Sequence, residues 1–158
     1  MELLELRFGY IREIFLTNNM LFPKKVKHRK WQTMRKNPLK VGVATRGVTV
    51  AFGSYGLKAL GHARIRSNQI ESARKVLSRS VGKSGRFWIR IFPDMPYTSK
   101  PAEVKLGKGK GDLQGYVAPV LAGRIIFEVE GTTEAVAKEA LRKAGTKLPV
   151  KTKIVARQ

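Results

Sequence analysis

Lys105-Leu106-Gly107-Lys108-Gly109-Lys110-Gly111 alternates lysine with glycine and contains no acid. Glycine reaches positive φ and lets a backbone approach a ligand closely. Lysine is a flexible point charge suited to phosphate. The run therefore reads as a cationic finger for a phosphate-rich partner. It is not a mononucleotide loop, which needs G-x-x-x-x-G-K-[ST]; here G-x-G-x-G is followed by Asp112. The dinucleotide pattern G-x-G-x-x-G fails too, and no helix follows directly. Only Leu106 in the run is apolar, so the finger is expected to order on phosphate rather than in the free protein.

Other chemistry is sparse. His28 and His62 lack metal-ligand spacing with each other, and each reads as a hydrogen-bonding side chain. Glu128 and Glu130, two apart on an expected strand, share a face; each is expected to balance an Arg or Lys rather than to form an acid/base pair. The chain has no cysteine, which excludes disulfides, thiolate metal sites and a cysteine nucleophile. No nucleophile–base set stands out, so no enzyme activity, cofactor or metal is expected. Trp88 and Phe92 read as core, and Trp31 as the better base-stacking ring.

The charge explains the finger. The 158 residues carry 32 Lys+Arg against 11 Asp+Glu, a net charge of +21. Such self-repulsion points to a polyanion, and nucleic acid fits best. A membrane surface fits less well without a long amphipathic basic helix, and no apolar run approaches the ~18 residues needed to span a bilayer. From Ile14 to Ile70 there is no Asp or Glu, and twelve Lys/Arg fall in that stretch. Lys24, Lys25, Lys27, Arg29, Lys30, Arg35, Lys36 and Lys40 crowd its first part, with His28 and Trp31 interleaved. Long, one-signed and aperiodic, this reads as an arm that orders on a phosphate backbone. Residues 1–19 differ: they are apolar and carry Glu2, Glu5 and Glu13. They match neither a secretory signal nor a transit peptide. Met20, where the composition changes, is the expected start. The expected layout is an extension of doubtful status at 1–19, an arm at 20–46 and a domain at 47–158.

The elements that must position these groups follow from periodicity. Gly47–Gly53 alternates and reads as a strand, with Tyr55–Leu60 as the next. Asn68 with Glu71 resembles a capping box, and Ile70, Ala73, Val76, Leu77 and Val81 form one helical stripe, ended by Gly82. Arg86–Phe92 is the clearest strand, with Trp88, Arg90 and Phe92 on one side. Pro93, Pro96 and Pro101 predict an irregular segment. Gln114–Leu121 and Arg124–Glu130 read as strands joined by an Ala122-Gly123 hairpin turn. A last helix starts at Thr132 or Thr133, with an apolar face of Val136, Ala137, Ala140, Leu141 and Ala144, and stops at Gly145. A strand over Val150–Val155 closes the chain. The fold class is α+β: a mostly antiparallel sheet with two helices on one face.

In this order the residues resemble the family of bacterial-type large-subunit ribosomal protein sixteen. The matching pieces begin with Met20-Leu21-Phe22-Pro23-Lys24, Lys27 to Lys30, Val50 to Ala59 and Ile70 to Arg74. They continue with Trp88 to Asp94, Lys100-Pro101, Gly107 to Gly111 and Lys147-Leu148-Pro149. The resemblance implies a structural, non-catalytic α+β protein of the large subunit, in a cytoplasmic ribosome or alternatively an organellar one. It implies as partners the 23S-type rRNA, tRNA in the A and P sites near the peptidyl-transferase centre, and neighbouring large-subunit proteins. Lys24, Lys27, Arg29 and Lys30 would hold rRNA, and Lys105, Lys108 and Lys110 would face tRNA. The expected rRNA-binding set is Lys24, Lys25, Lys27, His28, Arg29, Lys30, Arg35, Lys36, Arg64 and Arg66. The tRNA-side set is Lys105, Gly107, Lys108, Gly109, Lys110 and Gly111. Two departures stand out. Lys105 occupies a position where the family has arginine, and Thr33 to Pro38 replaces an Arg/Gly-rich arm. Residues 1–19 have no counterpart. The alternative reading is a free non-specific nucleic-acid-binding or RNA chaperone protein, which would spread over all nucleic acid instead of remaining with one subunit.

Overall fold

Ile125–Glu130 (β6) departs from strand alternation: every residue but Glu130 is buried. A strand buried on both faces needs a cover on each. Phe127 and Val129 pack into the core shared with the helices. Past an irregularity in the β1–β6 register Ile126 joins that core too, while Ile125 and Glu128 face the other way, beneath residues 47–53. The computed structural model, which describes residues 21–33, 41–105 and 107–157, shows why.

Gly47–Gly53 is not the strand its alternation predicted. It is a strap laid across the sheet, and a side chain satisfies its backbone. Glu128 Oε2 accepts the N–H groups of Phe52 at 2.6 Å, Gly53 at 3.0 Å and Ala51 at 3.2 Å. Oε1 accepts from Arg90 Nη1 at 2.7 Å. Gly53 and Gly56 permit the close approach: a Cβ would lie 2.6 Å from the Val129 carbonyl oxygen at Gly53, and 2.8 Å from Val50 at Gly56.

The fold is α+β with two helices and antiparallel strands, as expected, although among the described residues the strands form two sheets rather than one. Tyr55–Ala59 (β1), Arg86–Ile89 (β3), β6 and Thr152–Ala156 (β7) make one, in the order β3-β6-β1-β7. Ala63–Arg66 (β2), Met95–Ser99 (β4) and Asp112–Val120 (β5) make the other, in the order β2-β5-β4. Pro96 lies inside β4, against the expected irregularity; β4 is an edge strand, where a missing N–H is tolerated. The Ala122-Gly123 turn forms, with Arg124 N–H donating to Leu121 O at 3.2 Å. It is a corner rather than a hairpin, because β5 and β6 belong to different sheets. The β1–β2 link bends at the same place. Gly123, at φ +94°, donates to Ala59 O at 2.7 Å, and Ala59 N–H donates to Arg124 O at 2.9 Å.

Ser67–Val81 (α1) buries Ile70, Ala73, Leu77 and Val81 as the stripe predicted. Its N-cap is Arg66, not Asn68, and Gln69 Oε1 accepts the Arg66 N–H at 2.9 Å. Glu71 instead binds Arg74 in an i,i+3 pair, which raises the arginine's pKa. Glu134–Gly145 (α2) buries Ala137, Ala140, Leu141 and Ala144, whereas Val136 is exposed, outside the expected face. Gly145 is the last helical residue and serves close packing: a Cβ there would meet Thr152 Oγ1 at 2.6 Å. The core joins both helices to the sheets, Ile65 and Leu57 included.

Two consequences can be measured. Glu128→Ala leaves three strap N–H groups and Arg90 without their acceptor, so urea unfolding should show a loss of about 3–5 kcal/mol. On α2, the Arg142 hydrogen bond lowers the Glu139 pKa from 4.5 to about 2. A depressed carboxylate stabilises the fold above its unfolded pKa. That small contribution should therefore fade as pH falls from 4.5 toward 2, and Glu139→Gln should flatten this part of the pH–stability curve.

Candidate nucleic-acid interface

The finger spans the gap between two neighbouring antiparallel strands. β4 ends at Ser99, which pairs with Asp112, the first residue of β5. Gly107, Lys108 and Gly109 have φ of +90°, +52° and +91°, so the tip is built from successive left-handed residues. No atom comes within 4 Å of a Cβ placed at Gly107 or Gly109. Gly111 is different. A Cβ there would sit 2.5 Å from Ser99 O and 2.6 Å from Ser99 C, so the glycine closes the finger's base. Lys105, Lys108 and Lys110 are exposed. Lys100 Nζ donates to Gly107 O, and Lys110 Nζ donates to Trp31 O.

That last bond ties the finger to the arm. Leu21 packs against the core, and Phe22 meets the Tyr116 ring edge-on at 5.9 Å. From there the arm reaches the finger's base, where Lys30 Nζ lies 3.5 Å from Asp112. Lys24, Lys25, Lys27, His28, Arg29 and Lys30 are all exposed, as is Trp31. Arg35, Lys36 and Lys40 fall outside the described residues, as do Leu106 and residues 1–20. The arm and finger cations are thus brought to one end of β5.

Arg64 and Arg66 are placed elsewhere. They are exposed on β2 and face with Val117, opposite to the Tyr116 side that the arm contacts. Arg66 lies over the Tyr97 ring, 5.4 Å from its centroid, where Gly115 leaves room for the ring.

Glu128 is wholly buried under the strap, and Glu130 lies opposite Arg86 on β3, so the structure does not form an acid/base pair from them. His62 is exposed, and no group of three or more metal-ligating side chains forms among the described residues. No helix among them is long and apolar enough to cross a membrane.

The rings bring a correction. Phe92 is 48% exposed rather than core. Trp88 is half-buried because Phe52, from the strap, stacks on it at 6.1 Å and 25°. Arg90 lies 4.6 Å from the Phe52 centroid. Alternation placed Trp88, Arg90 and Phe92 together. What it could not supply was Phe52, which arrives through a segment that looked like a strand.

A match to the family of ribosomal protein L16p/L10e spans residues 23–155. The chain belongs to that family. It is accordingly a structural, non-enzymatic component of the large ribosomal subunit, located in the ribosome and associated with rRNA and other ribosomal proteins. As an L16p/L10e protein it presents the arm and finger as one surface. Gly111→Ala should stress that surface at its root and lower stability by about 1–3 kcal/mol. Lys108→Ala at the tip should leave the urea midpoint unchanged.

Proposed function

We propose that this L16p/L10e protein is of the bacterial type, that its arm holds 23S-type rRNA, and that its finger faces tRNA in the A and P sites near the peptidyl-transferase centre. Residues 20–46 act as the arm of a domain formed by 47–158. The observation that carries this reading is the convergence of two cationic segments at one end of β5, linked by Lys110 to Trp31 O and by Lys30 to Asp112. Flexible lysines on an open glycine-rich tip suit phosphates rather than base edges, so the contacts position the protein without reading sequence. Arg64 and Arg66 add a second phosphate contact on the opposite face of the smaller sheet. Catalysis plays no part; the protein supports assembly of the subunit and seating of tRNA.

The test separates arm from finger. Lys25→Ala with Lys27→Ala should weaken binding to many RNA sequences alike and reduce the salt slope by about 0.7 per lost contact on single-stranded RNA. Lys105→Ala with Lys108→Ala should leave occupancy of the large subunit intact and weaken tRNA binding to it. This pair avoids Lys110, whose loss would also remove one link between finger and arm. Normal tRNA binding by such subunits refutes the finger's role, and sequence-selective loss with an unchanged salt slope refutes the arm's.

A further inference from the structure

A groove of about 660 Å³ lies at the root of the arm, bordered by Leu21 and by residues 44–46, and no finger residue lines it. Leu21, Ile89, Ile91 and Ala118 give it apolar walls, while Arg46, Arg90 and Arg124 oppose Asp94 among its charged groups. Arg124 is fixed in place: Nη1 donates to Arg46 O at 2.7 Å and Nη2 to Arg90 O at 3.3 Å. Its guanidinium lies against Gly47, where a Cβ would approach Cζ to 2.8 Å. The Arg46 side chain is exposed beside it. Phe92 stands at the edge, 48% exposed, on a backbone held by buried Pro93 and by Asp94 N–H donating to Phe92 O at 3.1 Å. The packed core behind this segment keeps the ring presented outward.

We infer that this groove is a binding site for an unpaired RNA nucleotide, with the base stacked on Phe92 over the apolar walls and the phosphate held by Arg46 and Arg124. The inference rests on the rRNA-binding reading and adds a site to it. A nucleobase has two apolar faces and a polar edge, and its phosphate is an anion. The groove offers each of these its complement, and its volume suits one nucleotide. Arg90 is neutralised by Glu128, which leaves Arg46 and Arg124 against Asp94, and this excess of positive charge favours the occupant over a neutral apolar peptide. Aromatic stacking is sequence-tolerant because every base has a π-face. The site would therefore capture a bulged or looped-out residue of any identity, unlike the arm and finger lysines, which need only phosphate.

The experiment compares binding of a short oligoadenylate with an abasic strand of the same length. All proteins carry Phe22→Leu and Trp31→Ala, which remove the competing exposed rings of the arm. The parent should prefer the base-bearing strand by about tenfold. Phe92→Ala should abolish that preference with an unchanged urea midpoint, and Phe92→Trp should retain it. Arg46→Ala should weaken both strands equally and lower the salt slope by about 0.7. A preference that survives Phe92→Ala overturns the inference. So does loss of a neighbouring ribosomal protein from Phe92→Ala subunits with oligonucleotide binding unaltered, which would make the groove a protein interface. If the parent binds both strands equally, the groove site fails while rRNA binding stands. If it binds neither, the rRNA-binding reading fails with it.

Discussion

A single buried carboxylate governs how this chain is laid out. Glu128 is fully buried in a central strand, a position expensive for a charge unless it is paired and hydrogen-bonded. Here it has both: Arg90 provides the countercharge, and the N–H groups of Ala51, Phe52 and Gly53 complete the acceptor shell. Charge-assisted bonds are stronger than neutral ones, so the carboxylate orients a strap that has no partner strand to pair with. Removing the charge would not merely lose a contact. It would leave backbone donors and a guanidinium without partners on the covered side of β6.

The consequences of that pin extend outward. With the strap in place, Phe52 stacks on Trp88 and Arg90, and Val50 fills the space above Gly56. The start of the strap is held at Gly47, whose carbonyl oxygen accepts the Ile125 N–H at 2.8 Å, and at Ala44, which donates to Ala122 O at 2.8 Å. Arg46 and the groove beside Phe92 are therefore placed by the same element that completes the core. The opposite face of β6 is covered in the ordinary way, by helices whose small residues, Ala137, Ala140 and Ala144, allow close packing.

Elements with a strong local signal were legible in the sequence. The α1 stripe, the small-residue face of α2 and the first part of the expected Arg86–Phe92 strand, which forms over Arg86–Ile89, all depend on neighbours in the chain, and periodicity reports such neighbours. The strap misled because alternation records which side chains alternate in burial; it does not say where the backbone hydrogen bonds go. At residues 51–53 the N–H groups go to a glutamate more than seventy positions away. The corner at Ala122-Gly123 failed likewise: a tight turn is local, but whether its flanking strands pair depends on the path of β1 and β2. Phe92 was assigned to the core from its hydrophobicity alone, although Pro93 and the end of β3 direct it outward. The arm and finger were legible as cationic segments from composition. Their contact was not, because Lys110 and Trp31 meet through a lysine amine and a carbonyl oxygen, groups common to very many residue pairs.

The distribution of acids shows how a net charge of +21 is made compatible with folding. Glu71 pairs with Arg74, Glu134 with Lys138, and Glu139 with Arg142 and Lys143, all within helices. Glu128 neutralises Arg90 within the sheet. The helices and core thus neutralise part of their own charge: α1 sets Glu71 against Arg74, Lys75 and Arg79, and α2 sets Glu134 and Glu139 against Lys138, Arg142 and Lys143. The arm and finger have Asp112 between them, and its contact with Lys30 is exposed on both sides. An exposed pair contributes about 0–1 kcal/mol, too little to offset repulsion among so many lysines and arginines. Counter-anions are therefore needed most at this end of the molecule. Five of the acids, Glu71, Glu128, Glu130, Glu134 and Glu139, sit in the helices and β6, where the chain neutralises its own cations, and acids are scarce in the arm and finger, the segments that the proposed function assigns to RNA.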